Sequence, residues 1–387
     1  MARFLSRGGS PRLNREINKA LVMRAIRRLG PLSRADIARE TGINPNTIST
    51  IVAQYMEAGL VREVGEAPSG GGRPAVLVEL DASGHSVIGV EIGERVVRAT
   101  LVDFAGHAVA SALVQPETMK PEKVVAGMRE LVERLLRSER VREDRLLGVG
   151  VAVPGVVSPD GRRVLYSMPL GWTNEPLGAL LDEALGARTA MVNNAQAISN
   201  YYSHLKGGMR YDGILIFLVT FHPLPRTGMT NLGCGIILKG EVYGGHHHMA
   251  GEIAIGLPHP INLAVEAGLP KANGMRDLLA RLRDEPAAAT RVWDEFCRNL
   301  VMIASRSIDL LNPDLTIICS DLPELEELIG ARIREQIAAG TVLGAMSKLE
   351  GGPEAPRVDF EVLKSTAAAH GAALPFLAEL EQVREAE

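Results

Sequence analysis

Three helical stretches of apolar residues lie between residues 17 and 56. The first stops at Gly30-Pro31, because proline does not continue a helix. Ser33 followed three residues later by Asp36 is typical of a capping box at the start of the second helix, and Asn44-Pro45 is typical of the start of the third. The predicted apolar faces contain Ile17, Ala20, Leu21, Ala25, Ile26 and Leu29, then Ala35, Ile37 and Ala38, and finally Ile48, Ile51, Val52, Tyr55 and Met56.

After residue 80 the pattern alternates between strands and helices. "SVIGVEIGERVVRATLVDFAGHAVASALVQ" predicts three short strands, "PEKVVAGMRELVERLLRSE" a helix and "LLGVGVAVPGVV" a further strand. "DGILIFLVTF", "GCGIILKGEVYGG" and the buried strand "LTIICS", with helices before the last, repeat this plan. Two similar β-β-β-α-β-α units in tandem predict duplicated lobes with a ligand-binding cleft between them.

Composition and length favour a globular protein of two or three domains. The 387 residues are 46% hydrophobic and 23% charged, which is ordinary for such proteins. We find neither an apolar run of about 18 residues nor a signal-peptide pattern, and therefore expect a cytoplasmic protein without membrane association. Cys234, Cys297 and Cys319 have neither zinc nor disulfide spacing.

The net charge of −4 is unevenly distributed along the chain. Residues 1–30 contain eight Arg or Lys and a single acid, Glu16, whereas the body is acidic. A basic head on an acidic body favours contact with a polyanion, although a solvated basic tail is the alternative.

The head has the order of a helix-turn-helix followed by a wing. A short helix, the Thr41-Gly42 turn and a second helix with small polar residues at its start are typical of major-groove binding. "GLVREVGEAPSGGGRPAVLVEL" is strand-like at both ends and Gly-rich in the middle, as in a wing. A dimerisation or protein-docking module is the alternative. We expect DNA contacts from Ser33, Arg34, Asn44, Asn46, Thr47, Ser49, Thr50, Gln54 and, near the wing tip, Arg73.

Four segments together resemble the ROK family of repressors and sugar kinases, and in particular its transcriptional regulators. They are "GPLSRADIARETGINPNTIST…GLV…GGGRPA", "GVGVAVPGVVSPDGRRVLYSMPLGWTNEPL", "GEVYGGHHHMAGEIAIG" and "LLNPDLTIICSD". The resemblance implies an α/β chain: a winged helix-turn-helix, then a duplicated actin-like, ribonuclease-H-like fold of two lobes. The implied domains are 1–80, the first lobe 81–200 with the C-terminal helix 365–387 returning to it, and the second lobe 201–364.

The chain departs from the kinases of that family where they bind ATP. Glu94 and Arg95 follow Gly93 in place of small residues at the turn that holds ATP phosphates. "TFHPLPRTGMTNLGCG" replaces a Thr-Gly-rich phosphate loop, and Cys319-Ser320-Asp321 replaces a Gly-Gly pair. Asn194 occupies the position of the general base, and an amide is not basic near neutral pH. We therefore predict that no residue is catalytic, that no cofactor is bound and that a sugar kinase is the least favoured function.

The resemblance also implies a ligand site that includes Glu252, which matches the family's sugar-binding glutamate. The family's zinc-binding His falls at Ile255 and its Cys cluster is missing, so we predict no zinc site. The histidines His246, His247 and His248 are polar loop or pocket groups, a new metal site completed by His222 and His259, or of unassigned role. The candidate ligand residues are Gly155, Asn193, Asn194, Glu252 and Glu266, with helix capping as the alternative role of the two asparagines.

The sequence thus predicts a repressor of carbohydrate-related genes that binds double-stranded DNA at a palindromic operator. A dimer would place two recognition helices about one helical turn apart, so we expect a homodimer or tetramer. A sugar or sugar derivative is the expected effector. A regulator without a small-molecule ligand, controlled by a partner protein, is the alternative.

Overall fold

The computed structural model describes residues 11–66, 74–139, 141, 143–205, 211–221, 229–253 and 256–379. These residues form two units. The first runs to Pro154 and also includes Gly161–Val192 and the residues from Ala372 onward, and the second comprises Gly155–Asp160 and Asn193–Gly371. The domain boundaries at 80, 200 and 364 stay predictions.

The N-terminal head begins the first unit and has the predicted order of elements. Its helices end where the local sequence ends them: Gly42, in a left-handed conformation with φ of 70°, closes the second helix, and Asn44 and Pro45 open the third. A three-stranded sheet of order β1-β3-β2 completes it, and the wing-tip segment with Arg73 lies outside the described residues. The elements are α1 (Pro11–Leu29), β1 (Leu32–Ser33), α2 (Arg34–Thr41), α3 (Pro45–Glu57), β2 (Val61–Glu66) and β3 (Val76–Leu80).

The predicted capping box is confirmed. The Ser33 Oγ accepts the amide of Asp36 at 3.1 Å, and the Asp36 carboxylate accepts the amide of Ser33 at 3.3 Å. The Ser33 hydroxyl also donates to the Asp36 carboxylate at 2.7 Å, and this bond contributes most to lowering the pKa of Asp36.

The predicted apolar face of α3 is largely confirmed, whereas that of α1 is partly wrong. Ile48, Ile51, Val52 and Tyr55 are buried and Met56 is exposed. In α1, Leu21 and Leu29 are exposed while Val22 and Met23 are completely buried. The face is shifted because α1 packs against the first large sheet as well as against the head, and Val22, Met23 and Ile26 belong to a core cluster that includes Phe104 and Phe376.

The first large sheet has the strand order β11-β7-β4-β5-β6. β4 is antiparallel to β5 and parallel to β7. One face is covered by α4, whose buried residues recur at helical spacing from Val124 to Leu135. The elements are β4 (Ser86–Ile92), β5 (Val97–Asp103), β6 (Ala108–Val114), α4 (Pro121–Ser138), β7 (Leu146–Val153), β8 (Val156–Val157), β9 (Val164–Ser167), β10 (Trp172–Glu175), α5 (Leu177–Leu185) and β11 (Thr189–Asn193).

The second unit repeats this sheet plan, with the order β14-β13-β12-β16-β17 and β15 paired to β13. β12 is antiparallel to β13 and parallel to β16, as β4 is to β5 and β7, so the predicted duplication is confirmed. A turn of π-helix, Glu326–Gly330, leads into α10. The elements are α6 (Asn194–Leu205), β12 (Gly213–Thr220), β13 (Met229–Leu238), β14 (Glu241–Val242), β15 (Leu257–Pro258), α7 (Pro260–Glu266), α8 (Met275–Asp284), α9 (Pro286–Leu311), β16 (Leu315–Ser320), α10 (Ala331–Gly340), α11 (Val342–Met346), β17 (Val358–Val362) and α12 (Ala367–Ala378).

Each unit has its own apolar core. The core of the second unit surrounds α9, where Trp293 and Phe296 pack edge to face with ring centroids 6.0 Å apart. No helix in the described part of the chain has the length and hydrophobicity needed to cross a membrane.

Candidate functional site

The predicted DNA-binding residues of the head divide into those that hold helix ends and those that face solvent. Ser33 is buried and its hydroxyl serves the capping box. Asn44 is exposed, but its Oδ1 accepts the amide of Asn46 at 2.9 Å. Both side chains therefore position the start of a helix, and their part in DNA contact stays a prediction.

The solvent-facing side of α3 is polar and small. Asn46, Ser49 and Thr50 are exposed, whereas Thr47 and Gln54 are partly buried. The hydroxyls of Ser49 and Thr50 donate to the carbonyls of Pro45 and Asn46, each at 3.0 Å. Their oxygen lone pairs still face outward, so this surface presents acceptors together with the Asn46 amide, which both donates and accepts.

Several basic residues of the head are ion-paired on its surface. Arg34 donates to Glu63 at 3.0 Å and Arg28 to Glu40 at 2.7 Å. In contrast, Arg12, Arg15 and Arg24 of α1 are exposed and make no ion pair within the described residues. These α1 guanidinium groups were not among the predicted DNA contacts, although the charge count of residues 1–30 pointed to them.

Three of the five predicted ligand residues, Gly155, Asn193 and Glu252, come together around the side chain of Asn193. Its Nδ2 donates to the Gly155 carbonyl and to Glu252 Oε1, both at 2.8 Å. Its Oδ1 accepts the amide of Ala195 at 2.6 Å and so caps α6. Because the Oδ1 faces an N–H group, this orientation of the amide is the one that satisfies all three partners. Asn193 is therefore both a helix cap and a link to Glu252.

Glu252 keeps its second carboxylate oxygen without a hydrogen-bond partner among the described residues. Burial of the carboxyl group raises the pKa of Glu252. Solvent still reaches this exposed residue, which moderates the rise. A partly desolvated carboxylate with one open oxygen is suited to accept a hydrogen bond from a ligand hydroxyl.

The loop that carries Glu252 is fixed by backbone geometry. Gly251 has a φ of 86°, and a Cβ at this position would lie 1.9 Å from the Cys234 carbonyl oxygen. The Ala250 amide donates to the Gly244 carbonyl at 2.9 Å. The loop therefore approaches β13 so closely that only glycine fits before Glu252.

Asn194 and Glu266 occupy different surroundings. The Oδ1 of Asn194 is buried and has no hydrogen-bond partner within the described part of the chain. An unpaired buried acceptor is costly, so this oxygen is suited to receive a donor from a ligand. Glu266 is exposed at the end of α7, and within the described residues it makes no hydrogen bond to Gly155, Asn193 or Glu252.

The three consecutive histidines are exposed. The His246 and His247 rings contact each other with centroids 4.4 Å apart, and His248 has a φ of 54°. The His248 carbonyl accepts the Gln196 side-chain amide at 3.1 Å. Gln196 was missed by sequence reasoning, although it lies three residues after Asn193 in the first turn of α6.

His222 and His259 are the two residues that could complete a metal site with the three consecutive histidines. His259 is completely buried and caps α7, its Nδ1 accepting the Ile261 amide at 3.2 Å. His222 and Ile255 lie outside the described residues. Within the described ranges, no three His, Cys, Asp or Glu side chains are arranged to hold a metal ion.

At the segments that differ from the family's phosphate-binding turns, the protein forms hydrogen bonds with itself. Between β4 and β5 the amide of Gly93 donates to the Val96 carbonyl at 2.8 Å, which makes a tight hairpin with Glu94 and Arg95 at its tip. After β16, the Asp321 carboxylate accepts the Phe221 amide at 2.9 Å.

The three cysteines are buried. Burial raises the pKa of Cys234 to about 12, and of Cys297 and Cys319 to about 11. The thiols are therefore unreactive at neutral pH, since the thiolate is the reactive form.

Comparison with known proteins relates part of the chain to a family. A model of the ROK family matches residues 87–259. The xylose repressor of Bacillus subtilis (strain 168) is 25% identical over 240 residues, which are 62% of this chain and 60% of the repressor. The DNA-binding transcriptional dual regulator NagC of Escherichia coli (strain K12) is 26% identical over 247 residues, which are 63% of this chain and 58% of that protein. The match thus spans less than two thirds of each relative.

Solved structures share the fold over a larger part of the chain. A ROK family transcriptional regulator, a homologue of the E. coli MLC protein, superposes with a TM-score of 0.76 at 20% identity, and the match covers 95% of this chain and 97% of that chain. Solved ROK family sugar kinases share the fold over 75% of this chain. Residues 87–259 therefore match the model of the ROK family, and the fold of the chain is similar to that of a solved ROK transcriptional regulator.

Proposed function

We propose that this protein is a DNA-binding transcriptional repressor of carbohydrate-related genes, acting as a homodimer on a palindromic operator in the cytoplasm. The observation that carries the proposal is the capped helix-turn-helix with the polar face of α3 turned to solvent. The regulators named above as relatives support it. The exposed arginines of α1 add positive charge to the same head, as contact with DNA phosphates requires.

The effector of this repressor is a sugar or sugar derivative bound at Glu252 and Asn194. The open oxygen of Glu252 and the buried Oδ1 of Asn194 can both accept hydrogen bonds, and a polyhydroxy compound supplies donors for such acceptors. Gly155 and Asn193 support Glu252. Glu266 takes part only if the ligand reaches the end of α7.

The sugar-binding unit has lost ATP binding and catalysis. Glu94 and Arg95 at the tip of the hairpin stand in place of the small residues of the kinases' phosphate-binding turn, and the Gly93 amide already donates to the Val96 carbonyl. Asn194 lacks the basicity to accept a proton from a sugar hydroxyl. The protein is therefore a regulator and not an enzyme.

DNA binding is tested by selecting fragments from the source genome and measuring their affinity by fluorescence anisotropy at two salt concentrations. Asn46→Ala removes an exposed amide from α3 and is expected to weaken specific binding by about 1–3 kcal/mol, or roughly 5- to 150-fold. Asn273→Ala makes the same change at an exposed position of the second unit and leaves binding unaltered. Equal loss in both variants, or no specific fragment at either salt concentration, contradicts the proposal.

The effector is tested by thermal unfolding with xylose, N-acetylglucosamine and a panel of further sugars and sugar phosphates. A ligand at a hundred times its Kd stabilises the folded state by about 2.7 kcal/mol. We expect a rise in Tm with at least one sugar, lost in Glu252→Ala. A flat panel would instead favour regulation by a protein partner.

A further inference from the structure

A cavity of about 680 Å³ lies within the first unit, between the end of the head and the first large sheet. Its volume falls in the range of small-molecule sites, about 300–1,000 Å³. It is lined by residues that follow α3 and β3, by β4, β5 and β6, and by the chain after α4. The predicted ligand residues all belong to the second unit, so this cavity is separate from the candidate ligand site.

One side of the cavity is the joint between the head and the sheet, where backbone packs directly on backbone. A Cβ on Gly84 would lie 1.8 Å from the Gly59 carbonyl oxygen. The Asp81 amide donates to the Leu60 carbonyl at 3.0 Å, and the His85 ring donates to the Gly59 carbonyl. These contacts hold the joint in one arrangement, so the groups that line the cavity have fixed positions.

Arg145 presents a guanidinium group to the cavity. It ends a turn of 3₁₀ helix after α4, Glu143–Arg145, and is partly buried. A Cβ on Gly59 would lie 3.1 Å from its Nη1, so the guanidinium lies against the backbone of the joint. Within the described residues Arg145 makes no hydrogen bond or ion pair. A guanidinium with open donors is suited to bind a carboxylate or phosphate through two parallel hydrogen bonds.

Three carboxylates line the same cavity. The Asp81 Oδ1 accepts the amide and the hydroxyl of Ser83, at 3.1 and 2.7 Å, and its Oδ2 has no partner among the described residues. Asp103 accepts the His107 amide at 2.8 Å, and its other oxygen lies 3.4 Å from the His107 ring. Glu139 stands at the C-terminal end of α4, where the helix dipole adds partial negative charge. Asp81 and Glu139 are therefore suited to hold an ammonium group.

Part of the cavity wall is apolar, formed by Leu101 of β5 and Val109 of β6. Val109 is the extra residue of a β-bulge, because Leu101 pairs with Ala110 while Val102 pairs with Ala108. A bulge turns a side chain away from its regular direction and is common beside binding sites. The half-exposed Val109 side chain can therefore cover the apolar part of a bound molecule.

We propose that this cavity binds a small zwitterion, a compound that carries an ammonium group and a carboxylate or phosphate on a short frame. Arg145 binds the anionic group, while Asp81 and Glu139 bind the ammonium group. No ion pair joins Arg145 to either carboxylate in the described part of the chain, so a ligand with both charges provides each group with a partner. The bound molecule contacts the head and the sheet at once, because the cavity adjoins their joint.

Binding is measured on the full chain by isothermal titration calorimetry. The twenty L-amino acids and phosphoethanolamine are the probes, since both kinds of compound carry the two charges, and the kind that binds identifies the source of the ligand. Inorganic phosphate and spermidine each carry only one kind of charge and are the comparison. We expect at least one zwitterionic probe to bind. No binding by any of them, or equally tight binding of phosphate or spermidine, overturns the assignment.

Two variants test the residues assigned to the two charges. Arg145→Gln removes the cation, and Asp81→Asn removes the negative charge while retaining an oxygen for the Ser83 bonds. Each is expected to weaken binding of the probe by roughly tenfold or more, because hydrogen bonds to charged groups contribute most. Arg12→Gln and Glu122→Gln make matched changes at exposed positions of the same unit outside the cavity and leave the Kd unchanged. Equal Kd values in all four variants overturn the site.

Amide hydrogen exchange locates the bound probe in the parent protein without relying on a variant. We expect slower exchange at residues 59–60 and 81–84, whose amides form the hydrogen bonds of the joint. Protection that is absent there, or that appears around Glu252 instead, overturns the site. Glu252→Ala abolishes the response to sugars but leaves zwitterion binding unaltered, so failure of the sugar effector and failure of this cavity are seen separately.

Discussion

Glu252 is the residue at which burial and charge oppose each other most clearly in the candidate site. Its carboxyl group is partly desolvated, which disfavours the ionised form, and a single side-chain donor, the amide of Asn193, compensates for it. Asn194 next to Asn193 has a buried oxygen with no partner in the described part of the chain. Both residues carry unfavourable groups that a bound ligand would satisfy, as is common at functional sites.

The raised pKa of Glu252 predicts a pH-dependent stability difference for Glu252→Gln. A carboxyl group whose folded pKa lies above its unfolded value stabilises the fold while protonated, and this contribution is lost as pH rises through the folded pKa. The variant should therefore have a higher Tm than the parent protein at pH 7–8.

This stability difference disappears well below the ordinary glutamate pKa of about 4.3, where the parent glutamate is protonated in both states. Thermal unfolding at several pH values measures it. A difference in Tm that is constant with pH would show that ionisation of Glu252 does not contribute.

At the level of elements, the loop between β14 and β15 shows how a backbone requirement places a side chain. Gly245, His248 and Gly251 all have positive φ values, of 71°, 54° and 86°. Gly251 also touches the backbone of β13, so two separate constraints call for glycine at that position. The loop therefore holds Glu252 beside the start of α6.

A comparison of Gly251→Ala with Gly268→Ala separates the cost of a positive φ from the cost of the close contact with β13. Gly268 has a φ of 94° but open space around a Cβ, so its replacement costs only left-handed strain, about 1–2 kcal/mol. Gly251→Ala adds a clash with the Cys234 carbonyl and should cost roughly 2–5 kcal/mol.

The two units have one tryptophan each, Trp172 in the first and Trp293 in the second. In a Trp172→Phe background, the fluorescence of Trp293 during urea unfolding reports the second unit alone. Equal costs for Gly251→Ala and Gly268→Ala would show that the loop can move away from β13.

At the level of the whole molecule, the head is not a separate module on a linker. Its helices share one core with the first large sheet and with α12, which lies more than three hundred residues away in sequence. The head and the first unit are thus expected to lose structure together.

Phe376→Ala tests this shared core. Removing a buried phenylalanine costs about 3–5 kcal/mol, and the loss should appear as faster amide hydrogen exchange in α1 and α3 as well as in α12. Leu310→Ala replaces a residue that is 82% exposed and should change stability by less than about 0.5 kcal/mol. Exchange that increases in α12 while α1 and α3 stay protected would show an independently stable head.

Much of the local structure followed from the sequence by itself. The capping box of Ser33 and Asp36, the Asn44-Pro45 start of α3 and the repeated strand pattern depend on residues a few positions apart, where the physical causes are local. The four ROK-like segments likewise predicted the family and the fold class, because they are contiguous stretches of chain.

Only the tertiary structure decided how residues far apart in sequence meet. The buried face of α1 shifted to Val22 and Met23 because a sheet formed from later residues covers it. Asn193 could be recognised as a helix cap, but its bond to Glu252 joins residues 59 positions apart, and no periodicity or spacing encodes such a contact. Its geometry depends on how α6, β13 and the glycine loop pack, which is why the candidate site could be predicted as a set of residues but not as a hydrogen-bonded group.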